Sequence, residues 1–237
     1  TLEKNFKELT EKNNELDQFA YVVSHDLKAP LRGITNLITW IEEDHQKDIT
    51  PEIKYNLDLI KGRVVRLGKM INGLLEYARI GRVKKEFVNV DVSNLLNEII
   101  DILVPKNYEV KIEGKMPILT TEKLPLEQVF SNLISNAVKY NNKKDRQIII
   151  RSKELSDYYE FSVSDNGVVI KSDYFEKIFQ IFQTLQESDV FESTGVGLAI
   201  VQKIIEDHKS AISVKSKIGH GSTFIFTWPK SLKNLKA

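Results

Sequence analysis

One histidine near the start of the chain has neighbours that could support nucleophilic chemistry. Asp26 follows His25 directly, and Pro30 interrupts the same helical pattern. A carboxylate beside an imidazole can orient the ring and accept its proton while a ring nitrogen attacks phosphorus. A proline inside a helix removes a backbone hydrogen bond, at about 3 kcal/mol. Such a cost is easier to understand at a functional site, so His25 is a candidate nucleophile and Asp26 its candidate base.

Two asparagines farther along the chain could supply oxygen ligands to a hard metal ion. Asn132 and Asn136 are four residues apart and share one face of a predicted helix. Neutral amide oxygens suit Mg²⁺, which usually keeps water and phosphate oxygens in its shell. Lys139 follows three residues later and can reach the same phosphates. An amphipathic helix with surface asparagines would explain the pair if it stood alone.

Glycine-containing segments in the C-terminal half are suited to binding a nucleotide. Gly195 and Gly197 precede an apolar helical pattern, where backbone N–H groups and the helix dipole can hold phosphate. Asp165 opens an Asp-Asn-Gly sequence after a strand-like run, which alone is a common turn signal. A Phe-rich stretch covers residues 175–182, and core packing explains its phenylalanines as readily as ligand binding.

The N-terminal third of the chain has a helical pattern. A heptad seam predicts a first helix and a helical dimer, although packing within the same chain would also explain it. A second helix is predicted from Pro51 to Ile80, with Thr50 as its N-cap. Two such antiparallel hairpins would form a four-helix bundle. The seam residues are Phe6, Leu9, Asn13, Leu16, Ala20, Val23 and Leu27. The apolar face of the second helix comprises Ile53, Leu57, Ile60, Val64, Leu67, Ile71 and Leu74.

Beyond Gly81 the pattern changes to strands with interspersed helices, which predicts a two-layer α/β unit. Strands are predicted at 87–90, 109–113, 147–153, 159–164, 211–216 and 222–227. Helices are predicted at 92–103, 125–140 and 196–209. The fold class is therefore an N-terminal antiparallel helical hairpin followed by an α/β sandwich.

Composition narrows the class of protein. The 237 residues allow two modest domains, and 34 basic against 33 acidic residues create no global field that would attract nucleic acid. The absence of cysteine excludes disulfides and thiolate sites and fits a cytoplasmic location. No apolar run approaches the length of about 18 residues that a membrane-spanning helix needs. Because Thr1 is not methionine, we expect an upstream sensor domain, and the full-length protein is either membrane-anchored or soluble.

In their order along the chain, these segments resemble the sequence boxes of sensor histidine kinases of two-component systems. Residues 25–32 are similar to the H box in its phytochrome-like form, His-Asp-Leu-Lys-Ala-Pro-Leu-Arg. Residues 132–140 resemble the N box, 165–167 the start of the first glycine box, 175–182 the F box and 194–200 the second glycine box. Together with 219–224, they look like the ATP-binding fold shared with gyrases and a class of heat-shock chaperone. The resemblance covers nearly the whole chain.

The resemblance implies roles for individual residues. His25 would be the phosphate acceptor, Asp26 its general base, Asn136 the Mg²⁺ ligand and Asp165 the acceptor of a hydrogen bond from the adenine amino group. ATP and Mg²⁺ are the implied substrate and cofactor. The implied nucleotide-binding residues are Asn132, Asn136, Lys139, Tyr140, Asp165, Gly167, Phe179, Phe182, Gly195, Gly197 and Leu198.

The same resemblance implies a domain order and partners. Residues 1–18 would form a signalling coiled-coil helix, 19–82 a dimerisation and histidine phosphotransfer domain, and 83–232 the ATP-binding domain. The implied partners are a second copy of the chain and the receiver domain of a response regulator. Two other functions stay open: a weakly active kinase that serves as a dimeric scaffold, and an ATPase or chaperone of the same nucleotide-binding superfamily.

Four positions depart from the family pattern. Ala29 stands where relatives carry Thr or Asn for dephosphorylating the regulator, and Thr184 stands where phytochrome-like relatives carry Arg. Val169 and Ser193 replace glycines. We expect Val169 to crowd the nucleotide pocket and Thr184 to remove a cationic interaction with the transferring phosphoryl group. Together the departures predict weak ATP binding or slow autophosphorylation.

Overall fold

The computed structural model describes residues 26–81, 86–184, 194–217 and 219–230. The described residues divide into two compact units, the first comprising 26–79 together with 194–196, and the second comprising 80–184 together with the described residues from 197 onward. Two predicted features lie outside the described residues, namely His25 and the heptad positions that precede it. Ser193 lies outside them as well. No helix in the described part of the chain is both long enough and apolar enough to cross a bilayer.

The first unit contains an antiparallel helical hairpin, as the sequence predicts. Helix α1 occupies 26–44 of the described residues, and α2 spans Pro51–Arg79. Thr50 caps α2, since the backbone N–H of Ile53 donates to its Oγ1 at 3.2 Å. Satisfying an otherwise unbonded N–H in this way stabilises a helix by about 1 kcal/mol. Glu42 of α1 and Lys61 of α2 form an ion pair across the hairpin.

The hairpin buries only part of its apolar face. Leu57 and Ile71 of α2 are buried, together with Ile38 of α1. Four other residues of the predicted face remain between 41% and 46% exposed, namely Ile53, Ile60, Leu67 and Leu74. An apolar face of this extent indicates a surface that binds another protein segment.

The second unit begins with a short strand and a helix, β1 at Val88–Asp91 and α3 at Val92–Leu103. Asp91 caps α3 through its carboxylate, which accepts from the backbone N–H of Ser93 at 2.9 Å and of Asn94 at 3.2 Å. The later elements are β2 at Tyr108–Glu113, β3 at Ile118–Thr121, α4 at Lys123–Lys139, β4 at Arg146–Glu154, β5 at Tyr158–Asp165, α5 at Gly197–Asp207, β6 at Ile212–Lys217 and β7 at Gly221–Pro229.

Five strands form one mixed sheet in the order β2-β4-β5-β7-β6. Only the β2–β4 pair in this sheet is parallel, and β1 pairs with β3 separately. Alternate residues of the central strands are buried beneath the helices. Phe130 of α4 packs edge-to-face against Phe161 and Phe226, with centroids 5.3 Å apart in each pair. These contacts join the helical layer to the sheet.

The predicted strands and helices are present, with ends that differ by one or two residues. Strand β3 was not predicted; it has four residues, of which only Leu119 and Thr121 are buried. A strand this short has too few alternating positions to be recognised without its partner. The pairing with β1 supplies that partner, and Thr120 donates to Asn89 Oδ1 at 2.7 Å.

Candidate functional site

A cleft in the α/β unit contains several of the predicted nucleotide-binding residues. Its volume is about 650 Å³, including space open to solvent. The cleft is open at the ends of α4, β5 and α5 and is mostly apolar with a few polar groups, as ligand sites usually are. The lining residues are Asn136, Tyr140, Asp165, Val168, Ile170, Ile178, Gln183, Thr184, Leu198, Ser222 and Phe224.

Helix α4 presents Asn136 to the cleft, while Asn132 lies one turn earlier. The Asn132 amide donates to the Gln128 carbonyl at 2.9 Å, and its Oδ1 points toward Gly197 at the start of α5. A Cβ atom on Gly197 would lie 2.6 Å from that oxygen. A side chain at position 197 would therefore have to displace the Asn132 amide where α5 begins beside α4.

Asp165 is the most perturbed titratable group of the cleft. Its side chain is buried at the end of β5, and Oδ1 accepts a hydrogen bond of 2.8 Å from the Gly167 N–H. Burial raises the pKa of the carboxyl to about 6, while backbone N–H groups of Gly167 and Ser222 oppose the rise. A buried acceptor with a perturbed pKa inside a cleft is a candidate for ligand recognition.

Gly167 allows the chain to turn tightly after β5. A Cβ atom there would lie 2.7 Å from the Tyr140 carbonyl oxygen and 2.9 Å from Asn141 Cα. The next residue, Val168, donates its N–H to the same Tyr140 carbonyl at 3.0 Å. Gly167 thus lets the loop after β5 approach the end of α4, which brings Asp165 and Asn136 to one cleft.

Two of the departures from the family pattern, Val169 and Thr184, lie at different places relative to the cleft. Val168 and Ile170 line the cleft, but Val169 between them does not. The structure therefore does not support the expectation that Val169 crowds the pocket. Thr184, in contrast, lies on the cleft wall, so the departure from the family pattern at this position changes the chemistry of the wall.

The two predicted phenylalanines do not line the cleft. Phe179 packs edge-to-face on Phe224, with centroids 6.5 Å apart, and so supports the wall from behind. Phe182 is 45% exposed and has a backbone φ of 65°, a conformation that residues other than glycine rarely adopt. Their neighbours Ile178 and Gln183 contact the cleft instead.

Two of the remaining predicted residues lie on the wall of the cleft. Tyr140 and Leu198 line it, and the Lys139 ammonium is 5.7 Å from the centroid of the Tyr140 ring. Gly195, just before α5, has a φ of 66°, which explains glycine there.

Six lining residues were not predicted from the sequence: Val168, Ile170, Ile178, Gln183, Ser222 and Phe224. Val168 and Ile170 could have been found, because apolar residues at alternate positions follow the Asp-Asn-Gly turn. For Ile178 and Gln183 the sequence carries no such signal. They reach the cleft through the course of the loop after β5.

The candidate acceptor region lies on α1. His25 itself is outside the described residues, whereas Asp26 and Ala29 are exposed on the helix.

Within the described ranges, no three His, Cys, Asp or Glu side chains lie close enough together to hold a metal ion. These ranges therefore contain no metal site built from such protein ligands alone. The amide of Asn136 fits Mg²⁺ as a single oxygen ligand whose remaining partners are phosphate and water.

Two family models match the chain in succession. Residues 15–82 match the His Kinase A (phospho-acceptor) domain. Residues 121–232 match the histidine kinase-, DNA gyrase B-, and HSP90-like ATPase. The second match includes every residue that lines the cleft, and the first includes His25 and the hairpin.

Several known proteins are similar to this chain. Cyanobacterial phytochrome B of Nostoc sp. is 38% identical over 93% of this chain, which spans 30% of that protein. The structure of ShkA in complex with AMPPNP shares the fold, with a TM-score of 0.68, 23% identity, and coverage of 90% of this chain and 45% of that one. ThkA in complex with the response regulator protein TrrA gives a TM-score of 0.67 at 24% identity, covering 96% of this chain and 67% of that one. With both domains matched in order, the chain belongs to the histidine kinases.

Proposed function

We propose that the α/β unit binds ATP and that its γ-phosphoryl group is transferred to His25. The observation that carries the proposal is the convergence of Asn136, Asp165 and Leu198 on one cleft inside the matched ATPase domain. Asp165 accepts a hydrogen bond from the adenine amino group, and Asn132, Lys139 and Tyr140 lie around the nucleotide. The glycines before and at the start of α5, Gly195 and Gly197, present backbone N–H groups to the phosphates.

The transfer step exchanges one bond to phosphorus for another. A ring nitrogen of His25 bonds to the γ-phosphorus, the bond from that phosphorus to the β–γ bridging oxygen breaks, and ADP leaves. Asp26 accepts the proton released from the imidazole. Positioning and charge neutralisation supply most of the catalysis in phosphoryl transfer. When bound beside Asn136, Mg²⁺ would neutralise phosphate charge.

The exposed apolar face of the hairpin supports a homodimer. Four large aliphatic residues of the α2 face stay more than two-fifths exposed in one chain, and a second hairpin would cover them. Burial of this surface would stabilise the dimer at about 25 cal/mol per Å² of apolar area. We propose a dimeric four-helix bundle that carries His25.

The phosphoryl group on His25 then passes to an aspartate of a response-regulator receiver domain. The structural relative ThkA is described in complex with such a regulator. Because the chain spans less than a third of Cyanobacterial phytochrome B, we propose that an upstream sensor domain controls this core. No comparison favours the alternative of a degenerate scaffold. Because the hydroxyl of Thr184 brings no positive charge to the transferring phosphoryl group, we expect slower turnover than in relatives with Arg there.

The test is incubation with Mg²⁺ and ATP labelled at the γ-phosphate. We expect label that is lost in acid and stable in base, the behaviour of phosphohistidine. The His25→Gln variant should lose this label completely. A matched control is His45→Gln, because His45 is exposed in the turn of the same hairpin and should keep wild-type labelling. Acid-labile label that persists in His25→Gln would refute the assignment of the acceptor.

A further inference from the structure

A buried polar cluster lies in the α/β unit at the ends of α4 and α5 away from the cleft. Glu122 immediately precedes α4, and His208 immediately follows α5. His208 Nε2 lies 3.1 Å from Glu122 Oε2, and the two side chains are only 2% and 11% exposed. The contact has ion-pair distance without the alignment of a standard hydrogen bond. None of the roles assigned to the cleft uses this pair.

The surroundings of His208 hold its ring in one orientation. Its Nδ1 is 2.8 Å from the Ile204 carbonyl oxygen, which can only accept, so Nδ1 carries a hydrogen and donates it. The ring stacks on Trp228, with centroids 4.3 Å apart and planes inclined by 28°. The indole N–H of Trp228 donates in turn to Thr121 Oγ1 at 2.9 Å. The imidazole is thereby fixed to the end of β7 and to the residue before Glu122.

This orientation requires a proton between the two side chains. With Nδ1 already protonated, Nε2 of a neutral ring has only a lone pair to offer Glu122. Two acceptors 3.1 Å apart in a buried site would repel, so the contact is favourable only when a proton lies on either the ring or the carboxyl group. Removing either partner would leave the other polar group buried without this interaction, which is costly.

The pair and the cleft lie at opposite ends of the same two helices. At about 1.5 Å per residue, Asn132 is about 15 Å along α4 from Glu122, and Gly197 is about 16 Å along α5 from His208. Asn132 and Gly197 are themselves in close contact, as are Glu122 and His208. The two helices therefore run antiparallel, with a close approach to α4 at each end of α5. A shift of α5 along α4 at one end moves Gly197 relative to Asn136 at the other.

We infer that His208 and Glu122 form a remote positioning pair that fixes the register of α5 against α4 and so places Gly197 for phosphate binding. The inference rests on the proposed ATP-binding function. Neither residue touches the cleft, and their effect reaches the nucleotide only through the two helices. Packed helices shift between discrete arrangements rather than deform continuously, so loss of the pair acts on the whole helix.

The experiment measures the dissociation constant for ATP with Mg²⁺ in the whole chain, at a temperature where circular dichroism shows every variant folded. His208→Phe keeps an aromatic ring on Trp228 but cannot share the proton. We expect ATP affinity to fall about tenfold, a typical effect of a remote coupling residue. Glu122→Ala removes the other partner and should have the same effect. Glu122→Gln should stay within about twofold of wild type, because its amide N–H can donate to Nε2.

The control is Ile99→Val, a substitution at a buried position of α3 outside the cleft. It should lower stability and leave ATP affinity unchanged, which separates positioning from a merely structural role. If Glu122→Ala is folded and binds ATP as wild type does, the inference is overturned. An equal loss in Glu122→Gln and Glu122→Ala would also overturn it. Absence of ATP binding by wild type would instead refute the proposed function.

Discussion

Replacing Asp165 by Asn tests whether the buried carboxyl in the cleft lowers the stability of the fold at neutral pH. Burial raises the pKa of this group from 3.8 to about 6 in the folded chain. The native state therefore binds a proton more tightly than the unfolded state does. The stability that this provides is complete below pH 3.8 and is lost as the pH rises through about 6.

The difference between the two pKa values corresponds to about 3 kcal/mol of unfolding free energy at high pH. Between pH 4.5 and 7.5 the change amounts to about 2 kcal/mol, because part of the titration lies below this range. The Asn side chain does not titrate. The stability of Asp165→Asn minus that of wild type should therefore rise by about 2 kcal/mol over this interval. A misfit between the amide and the Gly167 N–H would shift this difference by a constant without changing its pH dependence.

Urea unfolding of both proteins without nucleotide, at several pH values, measures this difference. Asp101→Asn is the matched control, since Asp101 is exposed on α3 and its replacement should give a nearly flat difference. A flat or falling difference for Asp165→Asn would refute the assignment of a destabilising buried carboxyl. The same variant should bind ATP about tenfold more weakly, because an amide N–H then faces either the adenine amino group or a backbone donor.

Three further substitutions test local geometry. Gly167→Ala should lower the unfolding free energy by about 1 to 3 kcal/mol, since the new Cβ would lie 2.7 Å from the Tyr140 carbonyl oxygen; wild-type stability in urea titration would contradict this close approach. Phe182→Gly should leave the unfolding free energy unchanged or raise it by up to about 1 kcal/mol, because glycine adopts the φ of 65° without strain. A decrease of more than about 1 kcal/mol in thermal unfolding would show instead that the exposed ring contributes packing. Thr50→Ala should destabilise the hairpin by about 1 kcal/mol, while Thr50→Ser should keep the cap, as hydrogen exchange at the start of α2 would report.

The ends of several elements are decided by neighbouring residues. Thr50 and Pro51 place the start of α2, and Asp91 places the start of α3, because each cap satisfies backbone N–H groups within three residues of itself. Such local chemistry is visible in the sequence. The strand β3 was missed because its four residues depend on pairing with β1, which lies about thirty positions earlier.

The candidate site was predictable only in part. Asn136, Tyr140, Asp165 and Leu198 were named from the sequence, and all four line one cleft. The F-box phenylalanines were named as well, but Phe179 packs behind the wall and Phe182 is largely exposed. A phenylalanine satisfies core packing and ligand binding equally well, so its type alone does not choose between them.

By itself the sequence determined the order of helices and strands, the candidate phosphate acceptor and the polar groups suited to a nucleotide. These depend on residue type, periodicity and short spacing. Only the tertiary structure decided which residues share the cleft, that Val169 is not among them, and that His208 meets Glu122 across α4 and α5. These facts depend on contacts between residues far apart in the chain, which local patterns do not encode. The raised pKa of Asp165 has the same origin, because it arises from burial by several elements at once.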